Sequence, residues 1–186
     1  MLRRPSTSSR VIPEHWPSQV TRTVRLVDAR LARYDPRWPH LYRQEVVDVA
    51  VALAPVVAAE HVGSTSVPGL AAKPTIDIAV GVETLALPST AWSLMEVLGY
   101  QYGGNHALPQ HVFRKGESVP WRFLVHVVEH KGAMWRDYLR FRDHLRANPE
   151  AAARYAELKE ALLAERGDWY SGRDKAPFIR TILASA

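Results

Sequence analysis

Residues 60–80 read Glu60-His61-Val62-Gly63-Ser64-Thr65-Ser66-Val67-Pro68-Gly69-Leu70-Ala71-Ala72-Lys73-Pro74-Thr75-Ile76-Asp77-Ile78-Ala79-Val80, and the reading of the whole chain starts from them. Residues 56–62 are β-branched enough to predict a strand. Gly63 to Ser66, with Pro68-Gly69, predict a loop. Thr75 to Val82 alternates and predicts a second strand. Asp77 then lies inside a strand, where Asp is depleted and an unpaired buried carboxylate is costly. That placement points to a site. Gly63 has no Cβ to keep a phosphate away from the backbone. The Ser64 hydroxyl and neighbouring N–H groups suit phosphate oxygens. Twelve residues separate Ser64 from Asp77, and an Asp on the following strand suits Mg²⁺, whose charge offsets a triphosphate. Lys73 adds a point charge on the same oxygens.

Working towards the N-terminus, residues 1–20 are rich in Ser, Pro and Arg and read as a disordered arm. Val20, Val24, Val27 and Leu31 recur at helical spacing, so a short helix is expected over 20–32. Tyr34-Asp35-Pro36-Arg37-Trp38-Pro39 breaks it. His40 to Leu53 reads as a helix ended by Ala54-Pro55. Working towards the C-terminus, Pro88 to Leu98 reads as a helix capped by Ser89 and closed by Gly99. Tyr100–Tyr102, Val112–Lys115 and Arg122–Val128 are three short strands with Gly-rich turns between them. Helices are expected over 135–146, over 148–166 with Asn148 as N-cap and Pro149 at the first position, and near 176–183. The expectation is one α+β domain over residues 21–186, a small sheet packed with helices and followed by a helical C-terminal segment.

Bulk composition narrows the classes. The chain has 186 residues, no cysteine, a formal charge of +5 and a pI near 9.7. Disulfide frameworks and cysteine–zinc sites are excluded. The basic balance favours anionic partners such as a nucleotide or nucleic acid, although the arginines are scattered and equally suit a solvated surface. No apolar run is long enough for a membrane helix, and residues 1–10 lack a secretory h-region. A cytoplasmic location without membrane partners is the expectation.

The strings YDPRWP at 34–39, EHVGSTSVPGLAAKPTIDI at 60–78, LRFRDHLRANPEAAARYAELK at 139–159 and DKAPFI at 174–179 together resemble the GrpB family of the polymerase-β-like nucleotidyltransferase superfamily. The resemblance covers residues 34–184. It implies a small mixed sheet of nucleotidyltransferase type, Mg²⁺, and ATP or another nucleotide. The activity implied is nucleotidyl transfer, or adenylation-type activation of an acceptor that is a small molecule, an RNA or a protein. Members of the superfamily carry Gly-Ser on one strand, two acids on the next and a third acid on a later strand. Here Asp77 matches the first acid, Ala79 stands at the second, and His126 lies where the third is sought. The family's late strand reads HLHV; residues 124–127 read LVHV. Asp77 and His126 are thus the candidate catalytic and metal-holding pair. A non-catalytic nucleotide- or phosphate-binding module that has lost its acids is the alternative, and Ala79 is the feature that favours it.

The candidate phosphate contacts are Gly63, Ser64, Thr65, Lys73, His61 and Arg114. Each has a plainer alternative: a simple turn for Gly63 and Ser64, a solvated loop for Lys73, a core histidine for His61, and a hairpin tip for Arg114 and Lys115. His126 alternates with Val125 and Val127 and suits either a ligand or a structural role. Arg140 and Arg142 fall on different helical faces, so at most one faces the site. Lys159 and Lys175 read as solvated surface lysines. No RNA-binding motif is present, so a nucleic-acid partner rests on charge alone.

Overall fold

A proline that breaks the chain also starts the first helix among the described residues. The structure is a computed structural model that describes residues 31–117, 120–167 and 170–185. The expected arm at 1–20, and the expected helix over 20–32 up to residue 30, lie outside the described residues. Ala32 is extended instead of helical and pairs with Ala72 through two backbone hydrogen bonds of 2.9 and 3.0 Å. Helix α1 spans Trp38–Ala52 with Pro39 in its first turn, where the missing N–H costs nothing. It therefore begins two residues earlier than its periodicity suggested.

Strands β1 (Ala58–Val62), β2 (Ile76–Val82), β3 (Gln101–Gly104), β4 (Gln110–Lys115) and β5 (Phe123–Glu129) form one mixed sheet in the order β1-β2-β5-β4-β3. Only β2 and β5 run parallel; the other pairs are antiparallel. β2 is an interior strand, buried at six of its seven positions, as a strand covered on both faces must be. A 3₁₀ turn, Ser64–Ser66, follows β1.

Pleating sends Ile76, Ile78, Val80, Phe123, Val125 and Val127 to one face. There, α1 and α2 (Ser89–Val97) close the main core with Trp38, Val49, Leu53, Met95 and Tyr100. The opposite face carries Val62, Asp77, Ala79, His126 and Val128 and is covered by α3 (Ala133–Ala147), whose Trp135 clusters with Val62, Ala79 and Val128. Helices α4 (Pro149–Arg166) and α5 (Gly172–Ser185) build a second core with α3 from Leu145, Ala151, Tyr155 and Ile182, into which the loop residues Val67 and Leu70 insert. The α+β class and the mixed sheet with helical C-terminal segment are as expected. One cap differs. Ser89 is inside α2, and Pro88 holds the cap position. Asn148 holds the N-cap position of α4 as expected, its carbonyl accepting from the Ala152 N–H at 3.0 Å, while its side-chain amide donates to the His144 carbonyl at 2.9 Å and so closes α3 as well.

Candidate functional site

Sheet register decides which polar groups meet. Val62, Asp77, Leu124 and Arg114 form one row across the α3-covered face, and Glu60, Ala79, His126 and Val112 form the next. Asp77 and His126 are therefore diagonal neighbours on adjacent parallel strands, and His126 Nε2 lies 3.2 Å from Asp77 Oδ1. Both side chains retain some solvent contact. Arg114 stands on Asp77's row two strands away, about 10 Å by strand spacing. Its guanidinium lies 4.6 Å from the Trp121 ring centroid, and its buried Nε has no hydrogen-bond partner.

The turn after β1 is built around Asp77. Gly63 has φ +69°, and a Cβ placed on it would come within 2.3 Å of Asp77 Oδ2. Only glycine satisfies both the dihedral and the space. The Asp77 carboxylate thus rests directly against the Gly63 backbone, with the Gly-Ser turn and the strand aspartate in one place, as the spacing suggested.

His126 is held from behind. Its Nδ1 is 3.1 Å from the Tyr138 hydroxyl, and that hydroxyl is 3.1 Å from Gln110 Oε1. Burial, and then the Asp77 charge, push the Tyr138 pKa up, so the phenol keeps its proton. Gln110 Oε1 only accepts, which directs the phenolic hydrogen to it; the phenol oxygen then accepts from His126 Nδ1–H. At this distance a proton or a metal ion can join Nε2 to the carboxylate.

Ser64 is held by a residue read as solvated. Lys159 on α4 is fully buried, donates to the Ala71 carbonyl and lies 3.4 Å from Ser64 Oγ. Burial, and then the Lys175 charge, lower its pKa to about 7. As Lys159 donates to Ser64, the serine hydroxyl hydrogen is free to point elsewhere. Buried positions Ala151, Tyr155, Lys159 and Leu162 recur at helical spacing, so the apolar stripe of α4 is the signal that places Lys159 inside. The same argument finds Tyr138: with Trp135, Arg142 and Leu145 it follows a three-four-three spacing along α3.

Other candidates land elsewhere. Thr65 is buried and donates to the Thr75 carbonyl at 3.0 Å, so it accepts from His61 Nε2 at 3.1 Å. His61 stacks on Tyr42 at 5.0 Å, and burial lowers its pKa to about 4. His61 and Thr65 brace the turn from the opposite side of the sheet to Asp77. Lys73 lies 3.8 Å from the Tyr170 ring centroid, and Lys175, half-buried rather than solvated, lies 5.7 Å from the same centroid. Of the two α3 arginines, Arg142 is the inward one, bonded to Glu60 Oε2 at 2.7 Å and the His61 carbonyl at 3.1 Å; Arg140 caps the Leu183 carbonyl. Among the described residues no three His, Asp or Glu side chains converge as a metal cage. Ala79 is fully buried in the apolar cluster beneath α3, so the position of a second acid is a packing position here.

Comparison with known proteins agrees with this architecture. The family described as "GrpB protein" matches residues 28–185. A UPF0157 protein of Streptomyces coelicolor is 38% identical over 135 residues, 73% of this chain and 70% of that protein. The UPF0157 protein YqkA of Bacillus subtilis is 32% identical over 82% of this chain, which spans only 46% of that longer relative. The crystal structure of the conserved protein GrpB from Enterococcus faecalis superposes with a TM-score of 0.71 at 32% identity, over 84% of this chain and 96% of that one. The chain belongs to the GrpB family.

Proposed function

We propose that this GrpB-family chain binds ATP or a related nucleoside triphosphate together with one Mg²⁺ and transfers its nucleotidyl group to an acceptor. The carrying observation is the convergence of the Gly63-Ser64 turn, the Asp77 carboxylate and His126, whose Nε2 lies 3.2 Å from Asp77 Oδ1. The residues fit a single cation: Asp77 and His126 would hold it, and Mg²⁺ ordinarily completes its shell with water and phosphate oxygens. When bound, the ion would neutralise phosphate charge and polarise the bond to be broken.

The chain's own groups do the rest. Ser64 and the N–H groups of its turn donate to phosphate oxygens, with Lys159 fixing the Ser64 rotamer. Arg114, whose buried Nε lacks a partner, is the cation on Asp77's row and would meet charge that develops on the leaving group. Tyr138 and Gln110 hold the His126 ring. ATP, Mg²⁺ and the acceptor enter as parts of this reading, and the nucleotidyltransferase analogy supplies the reaction class.

A second reading rests on Ala79. Its burial in the apolar cluster removes the bridging acid that two-metal transfer normally uses, which favours a nucleotide-binding module without turnover. Equilibrium binding of Mg-ATP combined with a pyrophosphate-release assay separates the readings. Binding with release supports transfer, and binding without release across candidate acceptors supports the module. Absence of Mg-ATP binding at millimolar concentration, or binding unchanged in Asp77→Asn, overturns both.

A further inference from the structure

A cleft of about 530 Å³ opens on the edge of the sheet, on the other side of the 63–66 turn from Asp77. Its walls come from α1, β1, the turn and α3. Tyr34, Tyr42, Arg43, Glu60, Arg142 and Arg146 line it. Three guanidinium groups face one carboxylate, an excess of two positive charges on the wall. Asp143 offsets part of this from outside by pairing with Arg142 at 2.8 Å, but it is largely exposed and screened.

The three arginines play different parts. Arg142 is spent: it is buried, and its donors go to Glu60, Asp143 and the His61 carbonyl. Arg146 spends Nε and one terminal nitrogen on the Ser66 carbonyl, at 3.0 and 2.8 Å, and its other terminal nitrogen comes no closer than 3.7 Å to Asp143. Arg43 makes no hydrogen bond or ion pair among the described residues and is exposed on α1. Burial and the adjacent Arg142 lower the Arg146 pKa, against the opposing pull of Asp143 and Glu60. His61, on the same wall, is neutral at physiological pH and adds no charge of its own.

We infer that this cleft is a second ligand site, taking a small phosphate monoester with a planar ring, its phosphate held by Arg43 and Arg146 and its ring placed against Tyr34 and Tyr42. A phosphate monoester is close to a dianion at neutral pH, which matches the wall's charge excess better than a single carboxylate does. The Arg43 fork and the remaining terminal nitrogen of Arg146 suit the tetrahedral oxyanion. The volume lies within the range of small-molecule pockets. The site is independent of Mg²⁺ and of Asp77, and it shares only the 63–66 turn with the proposed triphosphate site.

Calorimetry on the full chain in EDTA tests it, with adenosine 5′-monophosphate, inorganic phosphate and adenosine as probes. The monophosphate is expected to bind, inorganic phosphate to compete with it, and adenosine to bind more weakly. Arg43→Gln, at an exposed position that braces nothing, is expected to weaken the monophosphate about tenfold, the loss of one charge-assisted contact. Asp77→Asn is expected to leave it unchanged while abolishing Mg-ATP binding. Monophosphate affinity unaltered in Arg43→Gln overturns the proposal, as does the absence of monophosphate binding at millimolar concentration. Affinity lost in Asp77→Asn instead of Arg43→Gln also overturns it, and assigns the ligand to the first site.

Discussion

Gly63 and Asp77 exclude a side-chain carbon between them: a Cβ on Gly63 would sit 2.3 Å from Asp77 Oδ2. Gly63→Ala therefore has to break either the turn's φ of +69° or the position of the carboxylate. The expected cost is about 2 kcal/mol or more, from left-handed strain plus the clash. Urea denaturation measures it. Mg-ATP binding is expected to be lost even in the fraction that folds, because Asp77 is displaced.

His61 makes stability fall in acid. Its pKa in the folded protein is about 4 against an ordinary 6.5, so the unfolded chain binds the extra proton between those values. Stability is fully present above about pH 6.5 and is lost as pH falls towards 4. One such shift corresponds to roughly 3 kcal/mol. In denaturation midpoints followed from pH 7 to pH 4, His61→Gln is expected to flatten this slope, whatever its offset at pH 7. An unchanged slope sinks the assignment.

Lys159 acts in the alkaline range. Its folded pKa of about 7 lies below the ordinary 10.5, so the unfolded chain holds more protons between those values and stability rises with pH across that window. Lys159→Met is expected to abolish the rise, worth several kcal/mol, and to match or exceed wild-type stability at pH 7. The same charge predicts proton uptake when a phosphate docks at Ser64 near pH 8. Titrations in buffers of different ionisation enthalpy read this directly, and Lys159→Met is expected to remove it.

Tyr138 governs the tautomer of His126. With Nδ1–H donated to the phenol oxygen, Nε2 is available to a cation. Mn²⁺ relaxation titrations measure the affinity of the Asp77–His126 pair. Tyr138→Phe frees Nδ1 and is expected to weaken Mn²⁺ about tenfold or more, in the range seen for groups that orient metal ligands. The far-UV spectrum should be unchanged. Equal Mn²⁺ affinity in Tyr138→Phe and the parent sinks the orienting role.

The local reading of the chain held where one element carries its own signal. The strands around Asp77 and the helices at 89–97, 133–147 and 149–166 came from alternation, periodicity and breakers, with their ends shifted by a few residues. The caps were less legible. Asn148 stands at the N-cap of α4 as its residue type suggested, but its side-chain amide bonds the last turn of the preceding helix, since a capping amide serves whichever orphan group the tertiary junction brings nearest.

From sequence alone, the Gly63-Ser64 turn and the strand position of Asp77 followed, because a flexible turn between two β-patterned segments is a local property of the chain. What lies beside Asp77 was not local. The parallel pairing of β2 with β5 brings up His126 across 49 residues, and α4 brings Lys159 to Ser64 across 95. Register and helix docking are set by the burial of whole apolar faces. Lys159 has a polar side chain that a linear reading assigns to solvent, and it was carried inward by the apolar neighbours on its own face. Tertiary structure alone decided that Ala79 is a packing position, that His61 and Thr65 brace the turn, and that three arginines meet at the sheet edge.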